Sequence, residues 1–505
     1  MLDKERRPVG FRRNTKYLIL QPHSENKTAK TMAEMKMKKA ELIFLPFPEI
    51  GHLASALQLA QLLINRGNHL SITILCTKFH YTPFSDVYTR SVLASHPQIK
   101  LIDLTHVELP PQELLLKSLP GYILTFMQSL VPHVKATIQN IQSSTSNPVI
   151  GLVLDFICAF MIDVGNDLGI PSYLFMPSNV GFLSFLLSLQ KRQIEDVFKF
   201  NDSSDPHLLV PGFSNLVPSS VLPDSVFNKE GGYAAYYKIS QRLRDAKGII
   251  VNTFSELEQG YIDALFDGQS QTPHIYAAGP LIDLKGGPHP NLDQNQHESI
   301  LKWLDEQPPF SVVFLCFGSR GSFDPSQTRE IALGLRRSGV RFLWAMRFPT
   351  PTKDNAERTL PEGFLEWMEM EGRGLLCEWA PQVEILAHRA IGGFVSHCGW
   401  NSILESLWFG VPILTWPVYA EQQLNAFTMV REWGLGVELR VDYRRGSDPV
   451  LAEEIEKGLK RLMDKDNVVH KKVQDMKEVA RKAVLSDGSS FTSIGKLIDD
   501  MIANH

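Results

Sequence analysis

What most limits the folds open to this chain is a double series of short apolar runs, each followed by a segment of helical periodicity and interrupted once by a stretch with neither. From Ala40, "AELIFLPF" leads into "HLASALQLAQLLINRG", whose apolar residues recur at helical spacing and whose Gly67 is expected to end the helix in the left-handed conformation. "LSITILCT", "IKLIDL", "VIGLVLDF", "PSYLFMP" and "GIIVNTF" continue the series. One intervening helix, "SELEQGYIDALF", opens with Ser255 and Glu258 at capping-box spacing. Residues 277–297, "AAGPLIDLKGGPHPNLDQNQH", are rich in Gly, Pro and Asn and read as a linker. Beyond it "SVVFLCFGS", "RFLWAMR", "RGLLCEW", "GGFVSH" and "VPILTWP" form a second series, with Pro325 suited to the first turn of the helix "DPSQTREIALGLRRSG". Short strands alternating with helical crossovers predict parallel sheets, hence two doubly wound α/β domains, at 39–276 and 298–484, facing one another across a cleft. In such sheets ligands bind beyond the carboxyl ends of the strands. Residues 485–505 are expected to form a last helix that packs back on the first domain.

A chain of 505 residues is long enough for about two to three domains. Its net charge of −4 offers no basic excess to a phosphate backbone, so nucleic acid is not an expected partner. Cys76, Cys158, Cys316, Cys377 and Cys398 are odd in number, never in CxxC spacing and set in apolar segments. They read as buried, reduced thiols of a cytoplasmic chain, neither a disulfide frame nor a zinc site. Apolar stretches such as "VGFLSFLLSL" reach about half of the ~18 residues that a membrane span needs, so no span is expected. A monomer is expected. The first 38 residues are Lys/Arg-rich, aperiodic and carry Asp3, Glu5, Glu25 and Glu34; they read as a disordered extension or as sequence upstream of a start at Met32 or Met35, with a targeting peptide as the alternative.

In the second series "SHCGWNSILESLWFG", residues 396–410, crowds polar side chains at a strand-to-helix junction. A helix beginning near Trp400 presents N–H groups without intrahelical partners and the positive end of its dipole, where an anion is stabilised. His397, Asn401 and Ser402 sit at that junction. Asn401 and Glu405, four apart, share a face, while Ile403, Leu404, Leu407 and Trp408 can turn to the core. A nucleotide suits this pattern, its diphosphate on the N–H groups and its ribose hydroxyls on Glu405; on these residues alone a capped core helix remains the alternative. Metal binding is disfavoured, because His397 and Cys398 are strand neighbours pointing to opposite faces and no second pair with ligand spacing lies nearby.

Reading outward from Trp379, "WAPQVEILAHRAIGGFVSHCGWNSILESLWFGVPILTWPVYAEQQLNA" closely resembles the signature box of plant family 1 UDP-sugar-dependent glycosyltransferases of small molecules. Trp379, Pro381, Gln382, His397, Gly399, Asn401, Ser402, Glu405, Pro412, Glu421 and Gln422 fall in register, and the likeness extends from about Glu41 to the C-terminus. It implies a GT-B arrangement of two Rossmann-like domains, UDP-glucose as co-substrate, and no cofactor or metal. Trp379 would stack on uracil, with the Ala380 backbone and Gln382 at its polar edge. Glu405 would take the ribose hydroxyls, and His397, Asn401 and Ser402 the diphosphate, helped by Ser319 of "FGSRGS". Trp400, Glu421 and Gln422 would face the sugar. Glu421 stands where many members have Asp, and Gln422 matches members that use glucose.

The chemistry needs an acceptor oxygen made nucleophilic, and "PFPEIGHLAS" puts His52 just after a strand, near a helix start that could reach the cleft. A lone histidine there is otherwise structural or solvent-facing; the resemblance makes it the general base. Glu49 and Ser55 depart from the commonest pattern around it. Asp155 ends the buried run "IGLVLDF", where a carboxylate is costly unless it caps a helix or meets a charge partner. Paired with His52, it would fix the tautomer and stabilise the imidazolium, as the acid does in hydrolase triads. The expected reaction is a direct, inverting displacement with the leaving UDP stabilised by the helix terminus.

Phe156, Phe182 and Phe185 are candidates to line an aromatic acceptor pocket, although each is also a natural core residue. The family resemblance fits flavonoids, dihydrochalcones and simple phenols, with terpenoid or hormone acceptors as the alternative. Two other classes compete. A nicotinamide-dependent oxidoreductase lacks its G-x-G-x-x-G turn here, and a UDP-sugar-binding protein without catalysis would not need His52 and Asp155. No G-x-S-x-G elbow supports a serine hydrolase.

Overall fold

The computed structural model describes residues 39–67, 69–79, 85–94, 96–104, 107–190, 207–266, 271–285, 292–346 and 359–504. The expectations for the first 38 residues lie outside this set. Every apolar run read above as a strand is one. In the first half these are β1 (Ala40–Leu45), β2 (Leu70–Cys76), β3 (Ile99–Asp103), β4 (Val149–Asp155), β5 (Ser172–Met176), the two-residue β6 (His207–Leu208) and β7 (Val217–Pro218), β8 (Gly248–Val251) and β9 (His274–Ala277). The second half has β10 (Val312–Cys316), β11 (Arg341–Ala345), β12 (Gly374–Cys377), β13 (Ile391–Ser396), β14 (Ile413–Thr415) and β15 (Gly436–Glu438). A seven-stranded sheet runs β3-β2-β1-β4-β5-β8-β9 and a six-stranded one β12-β11-β10-β13-β14-β15, both wholly parallel, while β6 and β7 pair antiparallel.

Parallel sheets covered on both faces read as unbroken apolar runs, and β1 shows why. Leu42 and Phe44 enter one core with Ile72, Val153 and Phe175, whereas Ile43 and Leu45 enter another with Leu152, Leu174 and Val251. The six-stranded sheet has its own core around Phe314, Trp344, Phe394 and Leu414. The last helix, Ser489–Ala503, lays Ile494, Leu497, Ile498 and Met501 on the face of the first sheet that holds Leu42 and Phe44, and Asp500 accepts a hydrogen bond from Tyr276 at 2.6 Å. The span read as a linker begins in the last residue of β9 and ends in the first turn of the helix Gln294–Asp305, whose Asp293 accepts the Gln296 N–H at 2.7 Å. Among the described residues no helix is long and apolar enough to cross a membrane. All five cysteines are buried and none is in a disulfide.

Two local expectations are corrected. Gly67 ends its helix at φ −111°, not in the left-handed region, with its N–H on the Leu63 carbonyl. Ser255 and Glu258 form no capping box: Phe254 precedes the helix, and Glu258, at non-helical φ −129°, turns inward. Its fully buried carboxylate instead accepts the N–H groups of Val180 (2.9 Å) and Gly181 (3.2 Å), at the start of the apolar helix Val180–Leu189. Burial pushes this carboxyl up to about 7 against the pull of those N–H bonds. A folded-state value above the ordinary 4.5 favours folding below pH 4.5, and that benefit is lost as pH rises through about 7. Glu258→Ala is expected to lower the unfolding free energy by roughly 2–4 kcal/mol in urea titrations, with two buried donors orphaned, and to remove that slope.

Candidate active site

Ligands gather where a doubly wound sheet reverses direction, and both sheets reverse next to the residues singled out above. In the first, β1 and β4 are neighbours across the reversal. The chain leaves β1 through "PFPE" into the helix Ile50–Arg66, which carries His52 in its first turn, and Asp155 is the last residue of β4. His52 Nδ1 lies 2.8 Å from Asp155 Oδ2. The other oxygen, Oδ1, accepts the Ile157 N–H at 3.0 Å and caps the short 3₁₀ helix Phe156–Met161. Cap and charge partner, weighed above as alternatives, are thus filled by different oxygens of one carboxylate. Phe156 stacks on the His52 ring at 5.9 Å and Phe47 meets it edge-on at 5.4 Å, which fixes its plane. The imidazole keeps 21% of its surface exposed while Asp155 keeps none. Burial works to lower the His52 pKa, but the charge and hydrogen bond of Asp155, aided by Glu49 and Glu421, outweigh it and push it up to about 9.

In the second sheet the reversal lies between β10 and β13. His397 follows β13, Cys398 takes a left-handed φ of 62°, and Gly399 precedes the helix Trp400–Phe409, whose first turn has no side-chain cap. A Cβ on Gly318 or Gly399 would lie 2.5 or 2.6 Å from His397 Nε2, so both glycines are needed for the ring to fit between the two loops. Gln382 donates its amide to Ser402 Oγ (2.8 Å) and Glu405 Oε2 (2.7 Å). Burial pushes Glu405 up to about 7, opposed by the Gln382 bond and aided by the nearby charge of Asp283. Glu421, its carboxyl also raised by burial, accepts from Ser178 Oγ at 3.1 Å. Gln422 Oε1 accepts the N–H groups of Val418 and Tyr419 at 3.0 and 2.9 Å.

One cleft of about 650 Å³ joins the two reversals. His52, Ser319, Trp379, Ala380, Gln382, His397, Trp400, Asn401, Ser402, Glu405, Glu421 and Gln422 all border it, with Asp155 behind His52. Some side chains are already engaged. Asn401 donates to the Gly51 carbonyl (2.8 Å) and accepts from Ser55 (3.1 Å), and the buried Trp400 indole donates to the Asn252 carbonyl (2.6 Å). None of the three candidate acceptor residues, Phe156, Phe182 and Phe185, borders this cleft, contrary to the pocket expected of them, and all three are buried. Phe182 and Phe185 lie in the largely buried helix Val180–Leu189, and of the three only Phe156 stacks on His52. Residues that sequence reasoning missed include Tyr88 and Asp283, hydrogen-bonded at 2.9 Å, and His297, 3.0 Å from Glu384. All four border the cleft. The one available signal was a polar residue in an otherwise loop-like or mixed context, which singles out nothing.

A family model described as UDP-glucoronosyl and UDP-glucosyl transferase matches residues 280–475. UDP-glycosyltransferase 71K2 of Pyrus communis is 50% identical over 487 residues, 93% of this chain and 99% of its own length. Flavonol 3-O-glucosyltransferase UGT71C4 of Arabidopsis thaliana is 44% identical over 476 residues, 92% of this chain and 98% of its own. The crystal structure of Medicago truncatula UGT71G1 complexed with UDP-glucose matches with a TM-score of 0.87 and 67% sequence identity, covering 92% of this chain and 98% of that one.

Proposed function

This chain belongs to the plant family 1 UDP-glycosyltransferases, and from that premise we propose that it transfers glucose from UDP-glucose, with inversion and without a metal, to a hydroxyl of a small lipophilic phenol such as a flavonoid or dihydrochalcone. The observation that carries the reading is the His52–Asp155 pair, at 2.8 Å, bordering the same cleft as the uncapped first turn of the Trp400 helix. With Nδ1–H held by Asp155, unprotonated His52 offers Nε2 to the acceptor. Nε2 takes the hydroxyl proton as the oxygen attacks the anomeric carbon; the new C–O bond forms as the bond to the diphosphate oxygen breaks, and its electron pair leaves with UDP. Attack opposite the leaving group inverts the centre. The first-turn N–H groups and the helix dipole stabilise the departing charge, with His397 and Ser402 alongside. Glu405, which accepts from the Gln382 amide, takes the ribose hydroxyls, with Gln382 at the polar edge of uracil, and Glu421 and Gln422 hold the glucose. The phenolic class is supported by the relative named as a flavonol 3-O-glucosyltransferase.

The test is purified protein with UDP-glucose and a panel of phenols and terpenols, with and without chelator, and NMR of the product for linkage and anomeric configuration. A β-glucoside of a phenol, formed equally with chelator, is the expected result; a retained α-configuration or a loss restored by metal overturns the corresponding part. Trp379, bordering the uracil end proposed for the cleft, is tested separately. Trp379→Ala is expected to weaken UDP binding by about 1–3 kcal/mol, the worth of one aromatic–base stack, measured by calorimetry.

A further inference from the structure

A buried line of amide hydrogen bonds crosses from one lobe to the other beside the cleft. Asn179 caps the helix Val180–Leu189, its Oδ1 accepting the Phe182 N–H at 2.6 Å. Its Nδ2 donates to Asn425 Oδ1 at 2.6 Å, 246 positions away in the short helix Gln422–Phe427. Asn425 Nδ2 then donates to the Cys398 carbonyl at 3.0 Å. Both asparagines are 1% exposed. Each uses its oxygen on one neighbour and its nitrogen on the next, so the line has a single polarity from the first lobe to the second.

Its end point matters. Cys398 holds the left-handed φ of 62°, which a side chain other than glycine adopts only when its surroundings over-determine it. The carbonyl that Asn425 grips belongs to the peptide joining Cys398 to Gly399, immediately before the Trp400 helix. The tilt of that peptide sets where the first-turn N–H groups point. Two buried amides are a costly way to join lobes that apolar side chains could pack together, unless the bonds also fix an orientation.

We propose that Asn425 is a positioning residue: with Asn179 it ties the diphosphate end of the Trp400 helix to the lobe that carries His52, and so fixes where the anomeric carbon sits relative to the base. The proposal rests on the donor site described under Proposed function. Cutting both bonds in one variant and only the bond between the lobes in another distinguishes it from plain core packing. Asn425→Leu keeps the branched four-atom shape of the side chain and removes both; Asn179→Ser keeps a cap for Phe182 but cannot reach Asn425.

For Asn425→Leu, the Kd for UDP by calorimetry is expected to rise roughly tenfold and kcat per folded molecule to fall ten- to a hundredfold, about the cost of misplacing a reacting group. For Asn179→Ser, the Kd stays within about twofold while kcat falls roughly tenfold, because only the register between lobes is disturbed. Thermal midpoints give the folded fraction. Kd and kcat per folded molecule within about twofold of the unsubstituted protein in both variants would overturn the proposal, as would losses that track only the folded fraction. If Asn425→Leu does not fold, the split between kcat and Kd in Asn179→Ser decides alone. An unsubstituted protein that binds no UDP and turns over no UDP-glucose overturns the donor site and this proposal with it, whereas an active one with unchanged variants overturns this proposal only.

Discussion

His52→Ala is expected to lower kcat/KM for glucosyl transfer by about 10²–10⁴ while UDP affinity changes less than about twofold. The asymmetry follows from position. His52 sits in the first turn of a helix on the first lobe, whereas the residues assigned to UDP lie on the second. Removing the imidazole also takes from Asp155 the partner of one oxygen, leaving Oδ1 bonded to the Ile157 N–H and Oδ2 facing a hole in a site with no exposed carboxylate surface. Some loss of thermal stability is therefore expected of the alanine variant for reasons unrelated to catalysis. His52→Gln separates the two effects, since its amide can donate to Asp155 but cannot take a proton at neutral pH. Both variants are expected to lose transfer; a glutamine variant with more than about a tenth of the normal rate would remove His52 as the base.

How far the site was legible depended on whether its parts were neighbours in sequence. The donor residues Trp379 to Gln422 form one continuous stretch, and a helix start after a buried strand has an electrostatic meaning that can be read without coordinates. His52 and Asp155 are 103 positions apart, yet each follows or ends an apolar run, and ligands of doubly wound sheets lie at those ends. That β1 and β4 should be the neighbours was not written in either run. Short strands escaped for the opposite reason: His274–Ala277 and Gly436–Glu438 contain too few residues to show a period. Caps failed where tertiary burial overrode local spacing. Glu258, placed for a capping box in its own helix, caps another helix 78 residues back, and Asn425 joins Asn179 and Cys398, which no local rule connects. Phe182 and Phe185 looked like pocket residues because their stretch is aromatic, but phenylalanine is above all a core residue, and both are buried in the core of the first lobe.

Asp155→Asn carries the second large effect, and its signature is a shift in pH dependence as well as a loss of rate. In the protein without substrate, His52 is held up to about 9, so the base form needed for attack grows as pH climbs from 6.5 through 9, and kcat/KM is expected to rise with it. Without the charge of Asp155, burial is left as the dominant influence and the inflection moves to lower pH. The plateau falls, by about 10²–10⁴, because an amide neither stabilises the imidazolium formed in the transition state nor enforces the tautomer that leaves Nε2 free. These effects oppose each other at neutral pH, where the variant has the larger fraction of base, so its deficit is smaller at pH 6.5 than at pH 9. Stability follows the same linkage. A histidine whose folded pKa is raised from 6.5 contributes stability that is fully present below pH 6.5 and lost as pH rises through about 9; in the variant that slope disappears. Rate profiles and urea midpoints measured from pH 6 to 10 check both, and a variant whose inflection stays at the original pH would show that the carboxylate does not set the basicity of His52.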